Sequence, residues 1–306
     1  MTIRLPHFPT AISLLICAVF FEGHVAQSQT TKANSPAPPE GVFFERDIAY
    51  REGHPRWVLN MIVPEKTSSR PRPAVVLVHG GGWSSGDQYK FTKMGFMLAE
   101  EGYVVMLPTY RLIKDAAFPA CIEDFKNSAR WLRANAEKYN IDTGKIGAYG
   151  NSAGGTIALT AAITNGNEEF EGDGSHQDQS SDVQAVVGSG TVGDMLHASH
   201  SKAAQSAYLN LAKGTNRSMS DSKAEKAMKA ASPCSYISRD VPPLLLVHGT
   251  ADTIVIINST DEFVEEMEKV GADITYLRYE GAGHGVMGQK AKETTPAMLK
   301  FFKKHL

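Results

Sequence analysis

The sequence predicts an α/β fold: a mostly parallel, doubly wound sheet of about eight strands, helices on both faces, and one small cap insertion. Three observations predict it. First, short continuous apolar runs recur at Ala74–Val78, Tyr103–Leu107, Lys145–Tyr149, Val183–Gly188 and Leu244–Val247, and such runs suit parallel strands covered on both faces. Second, apolar residues between the runs step by three and four. Phe118, Cys121, Ile122, Phe125, Ala129, Leu132 and Ala136 fall on one helical stripe, as Phe263, Met267 and Val270 do more briefly. Third, strand and helix signals alternate repeatedly, which implies crossover connections with helices on either side of the sheet.

The elements follow in order. Arg4 and His7 precede an apolar run from Ala11 to Phe21 that is too short to span a bilayer comfortably. Small residues then lead to Ala26-Gln27-Ser28, an acceptable cleavage site. Residues 1–28 therefore read as a secretory signal, which implies a secreted or periplasmic protein with no stable membrane anchor. Cys17 follows Ile16, where a lipid-attachment site would want a small residue. Residues 29–41, rich in Thr, Ser, Asn and Pro, read as a flexible leader, and residues 42–306 as a single domain. Val42–Tyr50 and Trp57–Val63 are strand-like and joined by a turn containing Gly53, so they are expected to pair antiparallel. Ile274–Tyr279 reads as a last strand. Asn165–Asp182, polar, acidic and glycine-rich, reads as an exposed loop, and the helix-prone segment 195–232 as a small cap over the strand ends.

Composition narrows the function classes. Hydrophobic residues make up 42% and charged residues 21%, an ordinary globular balance. The net charge is −2, with 31 basic and 33 acidic residues and no basic block, so nucleic acid is not an expected partner. Beyond the signal, two cysteines remain, Cys121 and Cys234; an oxidising compartment permits a bridge, but two cysteines so far apart in sequence do not establish one. The sequence leaves oligomeric state open.

In doubly wound sheets ligands bind beyond the carboxyl ends of the strands, and the informative motifs fall there. Gly150-Asn-Ser-Ala-Gly-Gly155 lies between a strand-like and a helix-like run. Glycines on either side of Ser152 allow a corner tight enough to lift its hydroxyl clear of the sheet, and the following helix points its positive end at that hydroxyl. A serine hydroxyl needs a base, and the base needs a carboxylate to fix its tautomer. In hydrolases of this architecture the three come in the order Ser, Asp, His. Asp252, in His248-Gly-Thr-Ala-Asp252, and His284, in Gly281-Ala-Gly-His284-Gly285, each follow a strand run in that order. His79-Gly-Gly-Gly-Trp83 follows another strand run; its glycines let backbone amides approach a carbonyl oxygen. Gly81, Gly82 and the amide of Ala153 are the expected oxyanion donors, with Trp83 as a wall of the acyl pocket. A phosphate-cradling loop does not fit, because neither G-x-G-x-x-G nor a GK[ST] ending is present.

Rivals exist for each role. Asp194 also follows a strand run. His248 ends a strand and is expected to stabilise its own loop. His305 lies at the C-terminal tip. His197 and His200 are spaced to share a helix face but have no obvious third ligand, and no metal or organic cofactor is expected.

Together His79-Gly-Gly-Gly-Trp83 and Gly150-Asn-Ser-Ala-Gly-Gly155 resemble the α/β-hydrolase esterases related to hormone-sensitive lipase. Within them the chain is most similar to the secreted acetyl-xylan and feruloyl esterase-like (BD-FAE-type) group. Asp115-Ala-Ala-Phe-Pro-Ala120, Ala231-Ser-Pro233 and His248-Gly-Thr-Ala-Asp252 match secondary landmarks of that group. The resemblance runs from about residue 42 to the C-terminus. It implies an α/β-hydrolase fold, the triad Ser152, Asp252 and His284, and the oxyanion hole Gly81, Gly82 and Ala153. It also implies hydrolysis of carboxylic esters, either short-chain acyl esters or acetyl and feruloyl groups on plant polysaccharide. Asn151 stands where many relatives have Asp, and Val286-Met287 replaces commoner polar or aromatic residues; both leave acyl preference open. Two alternatives stand beside this reading. One is a peptidase or amidase of the prolyl-oligopeptidase type, for whose usual N-terminal propeller the chain is too short. The other is a non-catalytic binding module on the same fold, although such modules commonly lose the serine or histidine retained here.

Overall fold

The apolar runs form eight strands of one sheet: β1 (Val42–Ala49), β2 (Val58–Pro64), β3 (Arg72–Val78), β4 (Val104–Pro108), β5 (Ile141–Asn151), β6 (Ala185–Ser189), β7 (Leu244–Gly249) and β8 (Ile274–Tyr279). This is a computed structural model and it describes residues 35–306. The secretory-signal segment, residues 1–28, lies outside the described residues. Residues 35–39 of the leader carry no regular element, and residues 37–306 form one compact unit.

The strand order is β1-β2-β4-β3-β5-β6-β7-β8. The first two strands form the expected antiparallel pair, and β2 also runs antiparallel to β4. All pairings from β4 through β3, β5, β6 and β7 to β8 are parallel.

Between the strands run the helices α1 (Thr92–Glu100), α2 (Ala120–Ala134), α3 (Ala136–Tyr139), α4 (Ala153–Ile163), α5 (Lys202–Lys213), α6 (Asp221–Ala231) and α7 (Ile257–Lys269), and after the last strand come α8 (Val286–Gln289) and α9 (Ala291–His305). Side chains alternate across β3, and the two faces make separate cores. Val76 and Val78 face α2, α4 and α7, with Ile122, Phe125, Ile157, Phe263 and Met267. Val75 and Leu77 face α1 and α9, with Phe96, Leu98, Met298 and Phe302. Every residue of α4 is buried, so this helix is apolar on all sides rather than on one stripe. Among the described residues no helix is long and apolar enough to cross a membrane.

Asn165–Asp182 is the expected loop, largely exposed and regular only at the 3-10 turn Glu168–Phe170, and the Glu171 carboxylate with several carbonyls along it also serves buried cations on α2. Lys126 Nζ donates to Glu171 Oε1 at 2.9 Å and to the Thr164 carbonyl at 3.0 Å. Arg130 bonds both the Glu171 carboxylate and its carbonyl. Arg133 donates to the carbonyls of Ser180 and Asp182 at 2.8 and 2.5 Å. Lys126 and Arg130 are fully buried, and burying them requires these acceptors.

The register fixes where function can sit. Val78 pairs with Gly150, Asn151 with Ser189, Ser189 with Val247 and Gly249 with Tyr279. The residues just past the carboxyl ends of β3, β5, β6, β7 and β8 therefore lie side by side in that order. Those positions are His79, Ser152, Gly190, Asp252 and His284.

Candidate active site

Ser152 occupies a corner that only its surroundings can hold. Its backbone has φ +56° and ψ −129°, a conformation costing on the order of 1–3 kcal/mol for a non-glycine residue. A Cβ at Gly150 would lie 2.2 Å from the Gly154 carbonyl oxygen, and one at Gly154 would lie 2.2 Å from that of Val78. Neither position admits another residue without moving backbone. The Ser152 amide donates to the Ser189 carbonyl at 2.8 Å, tying the corner to β6. Helix α4 starts at the next residue, so its positive end faces the serine.

The glycine loop lies against this corner. A Cβ on Gly80 would meet the Asn151 carbonyl oxygen at 2.7 Å and Ser152 Cβ at 3.2 Å. Gly81, Gly82 and Trp83 follow with φ of +121°, +58° and +56°, which turns successive amides to one side. The amides of Gly81, Gly82 and Ala153 donate to no acceptor among the described residues, so all three can serve a ligand oxygen.

This loop is held from below by a group that the sequence pattern did not flag. Arg56, from the β1–β2 connection, donates through Nε to the Tyr110 carbonyl at 2.7 Å and through Nη2 to the Gly86 carbonyl at 2.8 Å. Its Nη2 also lies 3.4 Å from His79 Nε2. His79 Nδ1 sits 2.9 Å from the Gly80 carbonyl, so Nδ1 carries the hydrogen and Nε2 accepts from arginine. The His79 ring stacks on Tyr110 at 4.3 Å. Burial, reinforced by the Arg56 charge, lowers the His79 pKa to about 3, which keeps the ring neutral.

Asp252 and His284 meet. His284 Nδ1 lies 2.7 Å from Asp252 Oδ2, and His284 is partly exposed whereas the Asp252 carboxylate is fully buried. The other carboxylate oxygen accepts the amides of Ile254 and Val255 at 2.9 and 3.0 Å. Burial on its own pushes the Asp252 pKa up. Hydrogen bonds from His248 and His284, the His284 charge and the Val255 amide outweigh it and hold the group well below the usual carboxylate range. Gly190 makes room for the ring: a Cβ there would lie 3.1 Å from both Cε1 and Nδ1 of His284. Gly190 directly follows the residue whose carbonyl takes the Ser152 amide, so the imidazole and the serine share the end of β6. Ser152 Oγ makes no hydrogen bond to His284 in this structure; catalytic contacts in unliganded enzymes are commonly long and tighten when substrate binds.

The rival groups are engaged elsewhere. Asp194 Oδ1 accepts the Leu196 amide at 2.8 Å, and Ser232 Oγ lies 3.4 Å away. His197 pairs with Glu262 at 2.9 Å, and His200 Nε2 lies 2.6 Å from the Asp194 carbonyl. Among the described residues no group of three or more His, Cys, Asp and Glu side chains converges as a metal-ligand set. His305 packs on Phe301 at the end of α9. His248 stabilises its own loop through the Val255 carbonyl at 3.0 Å, but its Nε2 also lies 3.2 Å from Asp252 Oδ2, a contact the sequence did not suggest.

Segment 195–232 forms α5 and α6, and from α5 the Tyr208 ring stands edge-on to Trp83 at 6.0 Å. Trp83 is buried. Cys121 and Cys234 are both free thiols, and burial raises their pKa values to about 12 and about 11. A cavity of about 470 Å³ lined by Arg72, Glu101, Tyr103, Lys300 and Lys303 opens at the start of β3, the opposite end of that strand from Ser152.

Residues 59–267 match the family model described as BD-FAE. The chain belongs to the BD-FAE family. Esterase LipC of Mycobacterium tuberculosis is 28% identical to this BD-FAE chain over 71% of it and 54% of LipC. The chain spans about half the length of the curated relatives it matches. A truncated form of a carbohydrate esterase from gut microbiota superposes with a TM-score of 0.79 at 26% identity, covering 88% of this chain and 99% of the other. Esterase 2 of Thermogutta terrifontis phosphonylated by sarin superposes with a TM-score of 0.69, also at 26% identity, over 87% of this chain and 94% of the other. The BD-FAE chain thus has the α/β-hydrolase fold, with esterases as its relatives and structural neighbours.

Proposed function

We propose that this BD-FAE protein is a secreted serine carboxylesterase. Ser152 is the nucleophile, His284 the general base and acid, and Asp252 the group that orients and charges the imidazole. His284 Nε2 takes the Ser152 proton as Oγ attacks the ester carbonyl. The oxyanion that forms is received by the amides of Gly81, Gly82 and Ala153, each worth about 3 kcal/mol in the transition state. The protonated imidazole then gives its proton to the leaving alcohol, and the acyl group stays on Ser152. Water, deprotonated by the same nitrogen, attacks the acyl carbonyl through the same oxyanion hole and releases the acid.

The observation carrying this reading is the 2.7 Å contact between His284 and Asp252, past the ends of β8 and β7 on the same edge of the sheet as the Ser152 corner. Substrates are small-molecule or polysaccharide-linked esters. Family membership and the carbohydrate-esterase neighbour favour acetyl or feruloyl groups on plant polysaccharide, and Trp83 with Tyr208 bounds the acyl side. The apolar run and cleavage-like site near the N-terminus support export.

Turnover of p-nitrophenyl acetate tests the assignment. Ser152→Ala is expected to abolish it while leaving the unfolding midpoint near that of the wild type. Near-wild-type turnover by Ser152→Ala would exclude the nucleophile.

A further inference from the structure

The His248 ring sits at the carboxyl end of β7 and is fully buried. Its Nε2 lies 3.0 Å from the Val255 carbonyl and 3.2 Å from Asp252 Oδ2. Both neighbours only accept, so Nε2 carries the hydrogen and shares it between them. Its Nδ1 is buried and meets no partner. The ring is therefore engaged through the one nitrogen that faces the carboxylate. Asp252 Oδ2 in turn receives two imidazoles, His248 at 3.2 Å and His284 at 2.7 Å, while Oδ1 takes two backbone amides.

We propose that His248 is a positioning residue for the reaction: it donates to the same Asp252 oxygen that holds His284, and so sets both the carboxylate's orientation and the basicity of the imidazole. The inference rests on the triad reading above. A second donor on Oδ2 draws electron density from the lone pair that receives His284 Nδ1–H. Without it that oxygen becomes a stronger acceptor, holds the protonated imidazole more firmly and is freer to rotate. The titratable groups facing Asp252 are His248 on β7, His284 after β8 and Tyr208 on α5, whose hydroxyl pKa is raised by burial and by the Asp252 charge.

The test compares wild type, His248→Gln and His248→Phe in the full chain. Glutamine can place an amide donor near the position of Nε2; phenylalanine fills the site without one. In His248→Phe the acid limb of the kcat/KM profile for p-nitrophenyl acetate is expected to move up by about 0.5–1 pH unit, the size of one redirected hydrogen bond. kcat is expected to fall about tenfold with KM little changed. His248→Gln is expected to keep the wild-type limb. A His248→Phe enzyme that loses thermal stability but keeps its acid limb and kcat would overturn the proposal, because a purely structural ring does that. If His248→Phe does not fold, nitrogen NMR of histidine-labelled wild type, assigned with His248→Gln, decides instead. The Nε2–H form is expected for His248, and the Nδ1–H form would overturn the proposal. That spectrum needs no turnover, and Ser152→Ala tests the esterase reading separately, so failure of one is distinguishable from failure of the other.

Discussion

Two buried groups at the strand ends are charged or neutral for opposite reasons, and each makes a prediction at the scale of a single residue. Four donors converge on Asp252 and keep it ionised despite burial, so this carboxylate does not set the acid limb of activity. Asp252→Asn is expected to lower kcat by about 10⁴-fold, because the amide favours the wrong imidazole tautomer. Asp194→Asn, whose carboxylate serves the Leu196 amide, is expected to leave kcat nearly unchanged; the reverse ranking would identify Asp194 as the acid. His79 behaves differently. Its folded pKa of about 3 lies below the ordinary histidine value, so between the two values the unfolded chain binds a proton that the native ring refuses. Stability conferred by the neutral ring is complete above about pH 6.5 and is lost as the pH falls toward 3, by about 1.4 kcal/mol per unit. Urea unfolding at a series of pH values should show the stability gap between wild type and His79→Asn shrinking on acidification. A gap that stays constant with pH would show that His79 contributes nothing through its protonation.

At the scale of elements, two segments are held by cations on their neighbours. The glycine loop carries three successive residues with positive φ, a shape that packing must impose, and the Arg56 guanidinium joins it to the segment after β4. Arg56→Met is expected to reduce kcat by up to about 10²-fold, comparable to loss of one oxyanion donor. KM should change little, and added guanidinium should partly restore the rate; a mutant with wild-type kcat would show that the loop holds itself. The segment from 165 to 182 is pinned to α2 by Lys126 and Arg130. Glu171→Ala leaves fully buried Lys126 without its counter-charge and is expected to cost about 3 kcal/mol in urea unfolding. An unchanged midpoint would mean that the Thr164 carbonyl and Ser181 hydroxyl are enough for Lys126.

The whole molecule shows why some of this was legible in sequence. Strand runs buried on both faces announce themselves by composition, and the parallel pairings follow from their alternation with helices. Ser152, Asp252 and His284 could be singled out as candidates because each follows a strand, and the sheet's register carries strand ends to one edge whatever their separation in the chain. Groups whose importance depends on tertiary placement were not legible. Arg56 matters only because β2 runs antiparallel beside β4, which brings the turn before β2 under the glycine loop. Gly190 matters only because an imidazole from a segment some ninety residues later lies over it. Helices α1 and α9 were also missed, although Met298, Phe301 and Phe302 on α9 have helical spacing and cover the second core; their stripe follows the last strand, where no further alternation draws attention to it. The polar loop after α4 is largely exposed, as its sequence suggests, but its ties to cations forty residues away were not legible.

Reaction of the full-length protein with a fluorophosphonate, followed by peptide mass mapping, shows whether the His284–Asp252 pair activates Ser152 as a nucleophile. One phosphonyl group per chain is expected, carried on the peptide containing Ser152, with labelling strongly slowed in His284→Ala. A folded protein that stays unlabelled, or carries the label on another residue, would rule out Ser152 as the activated nucleophile.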